Sequence, residues 1–226
     1  MKVLVAIPCY DRTISCETAR CLLDEQSIAA SVGVEFRVLF APGNSLITHA
    51  RNQIVRDFMV SDADRLFFLD ADVAWQIGDL LRLAMRPEPF VGGAYRFKKD
   101  EEAYPVQFVG KPANPVTGFI EMALLPGGFM SLSRDVFALL FREYPGRDYG
   151  LEGQTFNSFF HIPTDGAGED GAFCRDYRNA GGTVWLDPTL TLTHVDAAGR
   201  KYTGCILDWL KRHAAPESIR DLEGFR

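Results

Sequence analysis

Three short apolar runs separated by two helical stretches occupy the first third of the chain, and this alternation limits the fold more than any other feature. Residues 3–7, 36–40 and 66–69 read as strands. The stretch 13–30 reads as a helix with apolar positions at Ile14, Leu22, Leu23 and Ile28. A second helix runs to about Val60, capped by Asn44 or Ser45, with a stripe through Ala50, Ile54, Val55 and Phe58. Strand, helix, strand, helix, strand is the pattern of a doubly wound α/β sheet. Right-handed crossovers would bring the three strand ends to one sheet edge. Pro8, which lacks a ladder donor, is expected to end the first strand.

The third run, Arg65 to Trp75, reads RLFFLDADVAW. Four apolar residues lead directly into Asp70-Ala71-Asp72, as expected of a buried parallel strand followed by polar groups at its carboxyl end. Open α/β sheets bind ligands at that edge. On an extended backbone Asp70 and Asp72 would point to the same side, and two hard oxygen ligands suit Mg²⁺ or Mn²⁺. The letters alone are not specific, because Asp62-Ala63-Asp64 repeats them eight residues earlier. That copy sits in a polar connection between helix and strand, where helix termination and solvation account for it.

The 226 residues and 47% hydrophobic fraction allow one substantial core, so one domain is expected. A net charge of −6 with no basic tract argues against a nucleic-acid partner. An acidic protein that binds a polyphosphate needs a cation or a local Arg/Lys cluster. The cysteines at 9, 16, 21, 174 and 205 are odd in number, scattered and without metal-ligand spacing. They fit reduced thiols in a cytoplasmic compartment. The apolar opening stops at Pro8, too short for a signal-peptide core, and no stretch reaches membrane-span length.

Beyond residue 76 a short helix at 77–85 and a strand at 90–94 are expected. Residues 95–125 are broken by prolines and glycines into strand-like pieces at 106–109 and 119–125, which reads as a loop-rich, more antiparallel second half. Gly127-Gly128 permits close approach of backbone or ligand. Ser133 caps a helix at 134–144, and 145–167 reads as one long loop. Gly168-Glu169-Asp170 opens a helix to about Asn179, ended by Gly181-Gly182. Strands follow at 183–186 and 190–193, with His194 just after the second, and a last helix at 205–210. Trp75, Trp185 and Trp209 read as core residues, and His49 and His161 receive no role.

Taken in order, these pieces resemble the GT-A fold glycosyltransferases, especially the large second family of inverting enzymes. Residues 3–11, VLVAIPCYD, are similar to their opening strand. Ala50-Arg51-Asn52 resembles the "ARN" segment before their metal motif, and Phe67 to Asp72 resembles that DxD motif. Gly127-Gly128-Phe129-Met130 and Gly168-Glu169-Asp170 resemble the acceptor-side segment and the "ED" motif, and His194 matches their late histidine. The likeness is collinear from residue 3 to about 204. It implies a Rossmann-like α/β domain over 1–226 with a mainly parallel sheet. Residues 1–94 would be the nucleotide-sugar-binding half, 95–195 the acceptor and catalytic half, and 196–226 a C-terminal lid and helix.

The implied activity is metal-dependent transfer of a sugar from a nucleoside-diphosphate sugar, UDP- or GDP-linked, to a glycan or other hydroxyl acceptor. Carried over, Pro8, Tyr10, Asp11, Arg51, Asp70 and Ala71 would hold the donor. Asp72 and His194, with Asp70 beside them, would hold Mn²⁺ or Mg²⁺. Asp170 would be the catalytic base, Glu169 would touch the acceptor, and Gly127 and Gly128 would lie on the acceptor side. Lys201 and Tyr202, in a glycine-flanked segment, would close over the diphosphate as a lid. The family's usual Asn-Glu after the first strand is Asp11-Arg12 here, and its acidic pair after the second strand is Gly43-Asn44, which leaves base selectivity open. Two rivals stand beside this reading. Leu69 to Val73 also fits a haloacid-dehalogenase-type phosphatase with Asp70 as nucleophile, although two strand–helix units precede the motif. The chain could also be a nucleotide-sugar-binding domain without catalysis.

Overall fold

The computed structural model describes residues 1–213. The expected C-terminal lid and helix at 196–226 therefore falls partly outside the described residues, from 214 on. The elements are β1 (Lys2–Cys9), α1 (Cys16–Ala29), β2 (Glu35–Pro42), α2 (Ile47–Val60), β3 (Arg65–Leu69), β4 (Val73–Ala74), α3 (Asp79–Ala84) and β5 (Phe90–Gly92). They continue with β6 (Gln107–Phe108), β7 (Ile120–Leu124), β8 (Phe129–Ser133), α4 (Arg134–Glu143), β9 (Asp148–Leu151) and β10 (Gln154–Asn157). The last are α5 (Glu169–Asn179), β11 (Val184–Leu186), β12 (Thr191–Val195), β13 (Lys201–Cys205) and α6 (Ile206–His213).

Eight strands form the central sheet in the order β2-β1-β3-β8-β5-β11-β7-β6. The sheet is mixed rather than mainly parallel. β1–β2, β1–β3 and β5–β11 pair in parallel, whereas β3–β8, β5–β8, β11–β7 and β6–β7 are antiparallel. β8, which the sequence pattern did not mark as a strand, lies at the centre between β3 and β5. Its residues are buried on both faces, so no alternation announces it. The two halves of the chain therefore share one sheet. Because β8 opposes both neighbours, β3 and β5 run in the same sense and end at the same edge, where β8 begins. That places the residues after β3, those after β5, and Gly127-Gly128 together.

Several boundaries differ from expectation for identifiable reasons. β1 continues through Pro8 to Cys9 because its pairing with β3 stops at Ala6, so Pro8 interrupts a ladder on one side at most. α1 begins only after Ser15, whose hydroxyl accepts from the Thr18 amide at 3.0 Å, an N-cap that an earlier start at Thr13 would forgo. α2 starts after Leu46, and Asn44 acts one step earlier by accepting from the Leu46 amide. The loop expected at 145–167 contains the β9–β10 hairpin. It is laid on α2 by Tyr149, whose hydroxyl meets His49 Nδ1 at 2.7 Å.

Both faces of the sheet are covered by apolar side chains. On one, Phe160 and Phe173 stack at 4.3 Å between centroids, with Phe58 and Phe137 nearby. On the other, Phe67, Phe129 and Trp75 meet beneath α1 and α3. Trp75 is buried as expected, and its indole N–H donates to Glu25. Glu25 itself is fully buried, yet it accepts from the amides of Gly78 and Leu81 as well, which satisfies the carboxylate and ties α1 to the start of α3. All five cysteines are free. Among the described residues no helix is long and apolar enough to cross a membrane.

The upstream Asp-Ala-Asp serves the N-terminal strand. Asp64 accepts from the Lys2 amide at 2.7 Å, while Asp62 pairs with the Lys2 ammonium and with Arg37 Nη1 at 2.8 Å. The Lys2 and Arg37 hydrogen bonds pull the Asp62 carboxyl down to about 2. A depressed carboxyl contributes stability above its unfolded value near 3.8 and loses it as the pH falls through about 2. Asp62→Asn should therefore lower the thermal midpoint at pH 6, and the two proteins should converge as the pH approaches 2. A constant gap across that range, followed by calorimetry, would exclude this linkage.

Candidate active site at the carboxyl edge of the sheet

The extended backbone of β3 stops at Leu69, and the Val73 amide returns to the Asp70 carbonyl at 3.3 Å. The turn replaces the extended backbone from which a common direction of Asp70 and Asp72 was expected, and the two carboxylates have different partners, with Tyr95 bonding Asp70 and packing its ring against His194.

Asp70 turns toward the sheet edge. Its Oδ2 accepts from the Tyr95 hydroxyl at 2.7 Å, and its Oδ1 lies 3.5 Å from Arg51 Nη2. The Tyr95 hydroxyl is fully enclosed, and burial, reinforced by Asp70, pushes it well above the usual phenol range, so it stays a donor. Arg51, on α2, is only 3% exposed. Its guanidinium lies over the contacting rings of Phe68 and Phe160, 5.4 and 5.5 Å from their centroids, and reaches Glu169 Oε1 at 3.7 Å. Its Nη1 has no hydrogen-bond partner although it is buried. The adjacent Asn52 fixes the floor by bonding both the amide and the carbonyl of Phe160.

Asp72 has other partners. β12 pairs with β4, with His194 opposite Val73, and the Val195 amide donates to the Asp72 carbonyl at 2.8 Å. This ladder sets His194 Nε2 3.4 Å from Asp72 Oδ1. His194 thus lies inside a strand rather than after one. Its Nδ1 meets the Arg96 carbonyl at 2.9 Å. A carbonyl only accepts, so Nδ1 carries a proton and donates, which leaves Nε2 as the ring nitrogen beside the carboxylate. The outer hydrogen bond to the Arg96 carbonyl is the kind that orients a metal-ligating imidazole. On the other carboxylate oxygen, Lys98 Nζ lies 2.5 Å from Asp72 Oδ2. Burial alone would raise the Asp72 carboxyl, but His194 and Lys98 outweigh it and hold it below the usual range. Among the described residues no three His, Cys, Asp or Glu side chains converge as a ready-made metal cluster. Asp72 and His194 could supply two ligands, a number that suits Mg²⁺ or Mn²⁺ completed by phosphate oxygens and water.

Gly127-Gly128 joins the groups. The Asp70 amide donates to the Gly128 carbonyl at 3.0 Å. A β-carbon on Gly128 would fall 2.1 Å from Asp70 Oδ2 and 2.6 Å from the Tyr95 hydroxyl, and one on Gly127 would fall 1.8 Å from Arg51 Nη1. The Gly127 amide donates to Asp170 Oδ2 at 3.3 Å, and Asp170 Oδ1 accepts from the Gly171 amide at 2.8 Å. Glu169 and Asp170 form the first turn of α5, where the helix dipole favours carboxylates.

The other expected donor residues lie around the β1–α1 connection. The Ser15 amide bonds the Ala71 carbonyl at 2.8 Å, which brings that loop against the aspartate turn. Asp11 accepts from the Thr13 amide, and the Thr13 hydrogen bonds hold its carboxyl below the usual range against the nearby charge of Asp72. Tyr10 is largely exposed, and Pro8 is half-buried within β1. Lys201 and Tyr202 belong to the β12–β13 hairpin. Lys201 pairs with Glu17 at 2.8 Å, and Tyr202 is buried with its hydroxyl on Asp196 at 3.2 Å, so neither is a free lid residue in this arrangement. Tyr95 and Lys98 escaped the sequence reading. The one available signal was their position just past the strand at 90–94, which ends at the same edge.

Gly128→Ala should cost about 1–3 kcal/mol, as overpacking does where no neighbour can yield. It should also loosen the Tyr95–Asp70 contact, seen as a fall in the tyrosine's pH midpoint by ultraviolet titration. Wild-type stability by urea unfolding would show that the cradle is not tight.

No family model matches the chain, and no curated protein matches it in sequence. Among solved structures it is similar to the crystal structure of A197 from STIV, with 17% identity over 90% of this chain and 94% of that one and a TM-score of 0.54. A slighter similarity, at a TM-score of 0.49 and 13% identity, is to GalNAc-T7 crystallised with UDP, GalNAc and Mn²⁺, covering 87% of this chain. This chain spans 44% of the length of that protein. At such identities the similarity to A197 speaks for a shared fold over nearly the whole of both chains, an α/β fold with a large mixed central sheet.

Proposed function

We propose that this protein is a metal-dependent glycosyltransferase of GT-A type that moves a sugar from a nucleoside-diphosphate sugar to a hydroxyl acceptor. One observation carries the reading. The carboxyl edge of the sheet gathers a cation-seeking pair, Asp72 and His194, a buried cation with an unpartnered N–H, Arg51, and an oriented carboxylate at a helix start, Asp170, around two glycines. The resemblance of the same segments to the glycosyltransferase motifs supports it.

In this reading Asp72 and His194 hold a Mg²⁺ or Mn²⁺ ion, which supplies positive charge to the leaving diphosphate. Arg51 and Asp70 hold each other and fix the donor side, and Pro8, Tyr10, Asp11 and Ala71 border the nucleoside. Residues 1–94 supply most of the donor side, and 95–195 supply the acceptor side. Asp170 takes the acceptor's proton. Two backbone amides orient its oxygens, and each oxygen keeps a further lone pair for that proton. Glu169, held near Arg51, and Gly127-Gly128 border the acceptor. Lys201 and Tyr202 would reach the diphosphate only if the β12–β13 hairpin shifted. The free thiols fit a reducing, cytoplasmic setting. A phosphatase would need Asp70 free for attack. Tyr95 and Arg51 occupy its oxygens and Gly128 presses against it, which favours the transferase.

A panel of nucleoside-diphosphate sugars tests this. Nucleoside diphosphate release should require Mn²⁺ or Mg²⁺ and vanish in Asp72→Ala. Asp170→Asn should lose about 10²–10⁴-fold in transfer rate while donor binding persists. Normal turnover in Asp170→Asn would remove it as the base. Metal-independent phosphate release from simple monoesters, abolished by Asp70→Asn, would replace the transferase with the phosphatase.

A further inference from the structure

The segment after β5 carries two groups that act on the same carboxylate. Arg96 gives its carbonyl to His194 Nδ1 and so aims Nε2 at Asp72, while Lys98, two residues on, places its ammonium on the other Asp72 oxygen. The Arg96 guanidinium anchors the segment from both sides, donating to the carbonyl of Thr203 on β13 and to the carbonyls of Lys99 and Asp100. The backbone is thereby stapled, whereas the Lys98 side chain is about a third exposed and ends on a flexible four-carbon stem. Its ammonium sits on Asp72 Oδ2, an oxygen that a divalent cation bound by this carboxylate would compete for.

We propose that Lys98 is a built-in competitor for the metal position, holding Asp72 in the free protein and turning onto the donor's diphosphate when a divalent ion takes the carboxylate. This deepens the glycosyltransferase reading and rests on it for the identity of the anion. The physics is an exchange of partners. An acidic carboxylate beside His194 and Asp11 would otherwise hold unbalanced negative charge, and Lys98 neutralises it. A divalent ion must first displace that ammonium, so its apparent affinity is reduced by the fraction of time Asp72 is occupied. The ammonium so released loses its partner, and a diphosphate bound at the metal offers it a new one. Metal and nucleotide should therefore bind tightly together and weakly apart.

The test compares wild type, Lys98→Gln, Lys98→Arg and Lys99→Gln by calorimetric titration. Lys99 is the control, a neighbouring charge that lies over Phe97 and near Glu101 rather than on Asp72. With Mn²⁺ alone, Lys98→Gln should bind about tenfold more tightly than wild type, which corresponds to release from a pairing that leaves Asp72 open about a tenth of the time. With Mn²⁺ saturating, the same variant should bind UDP and GDP roughly tenfold more weakly, the loss of one charge-assisted contact. Lys98→Arg should keep the wild-type Mn²⁺ affinity, and Lys99→Gln should change neither. Unchanged or weaker Mn²⁺ binding in Lys98→Gln overturns the proposal, as does a Lys99→Gln effect of equal size, which would mean diffuse charge rather than a specific pairing. If no nucleoside diphosphate binds any of the four proteins, the transferase reading falls, and the Mn²⁺ titration still decides whether Lys98 guards Asp72. Circular dichroism of each variant separates these outcomes from misfolding.

Discussion

One buried guanidinium organises this edge of the molecule. Arg51 is removed from water, and a buried charge is tolerated only where opposite charge and hydrogen-bond partners surround it. Asp70 and Glu169 provide that charge from β3's end and from α5's first turn, and the Phe68 and Phe160 rings provide its flanks. The three carriers of the site, α2, the aspartate turn and α5, are thus brought to a common point by the requirement to neutralise one cation. The arrangement leaves Nη1 without a partner, and that residual demand faces the glycine pair rather than the core.

The glycines are the second constraint. Gly128 lets Asp70 and Tyr95 close over it, and Gly127 lets Arg51 approach from beneath while its amide steadies Asp170. These contacts need backbone without side chain, so the close approach follows from packing rather than from turn geometry. The β3–β8 ladder then fixes the register, with Leu69 opposite Phe129, so the aspartates and the glycines cannot slide past each other.

A second, more open centre lies beside this closed one. Asp72, His194 and Lys98 come from the aspartate turn, β12 and the segment after β5, and are joined by the short β4–β12 ladder. The closed centre is buried, and Arg51 Nε and Nη1 are left in it without hydrogen-bond partners. The open one is held by a side chain that solvent can reach. Rigid positioning next to an exchangeable cation is the division expected where a charged ligand enters and leaves.

The reach of sequence reasoning follows from how local each signal is. The difference between the two Asp-Ala-Asp copies was legible, because only one follows an apolar run; the other proved to bind Lys2 and Arg37. The α5 start at Glu169 and the core role of Trp75 were legible for the same reason, being written in adjacent residues. β8 was not, since Ser131 and Ser133 interrupt the apolar run that revealed β3, and neither was the β9–β10 hairpin, whose polar residues look like loop. Sequence alone determined the strand–helix alternation, the edge on which the aspartates lie and the candidate residues, because hydrophobic period and strand ends are local properties. Only the tertiary structure decided that Asp70 and Asp72 take different partners, that Tyr95 and Lys98 join them, and that His194 sits within a strand. Those outcomes depend on which distant segments pair, and on where a buried charge finds its partners.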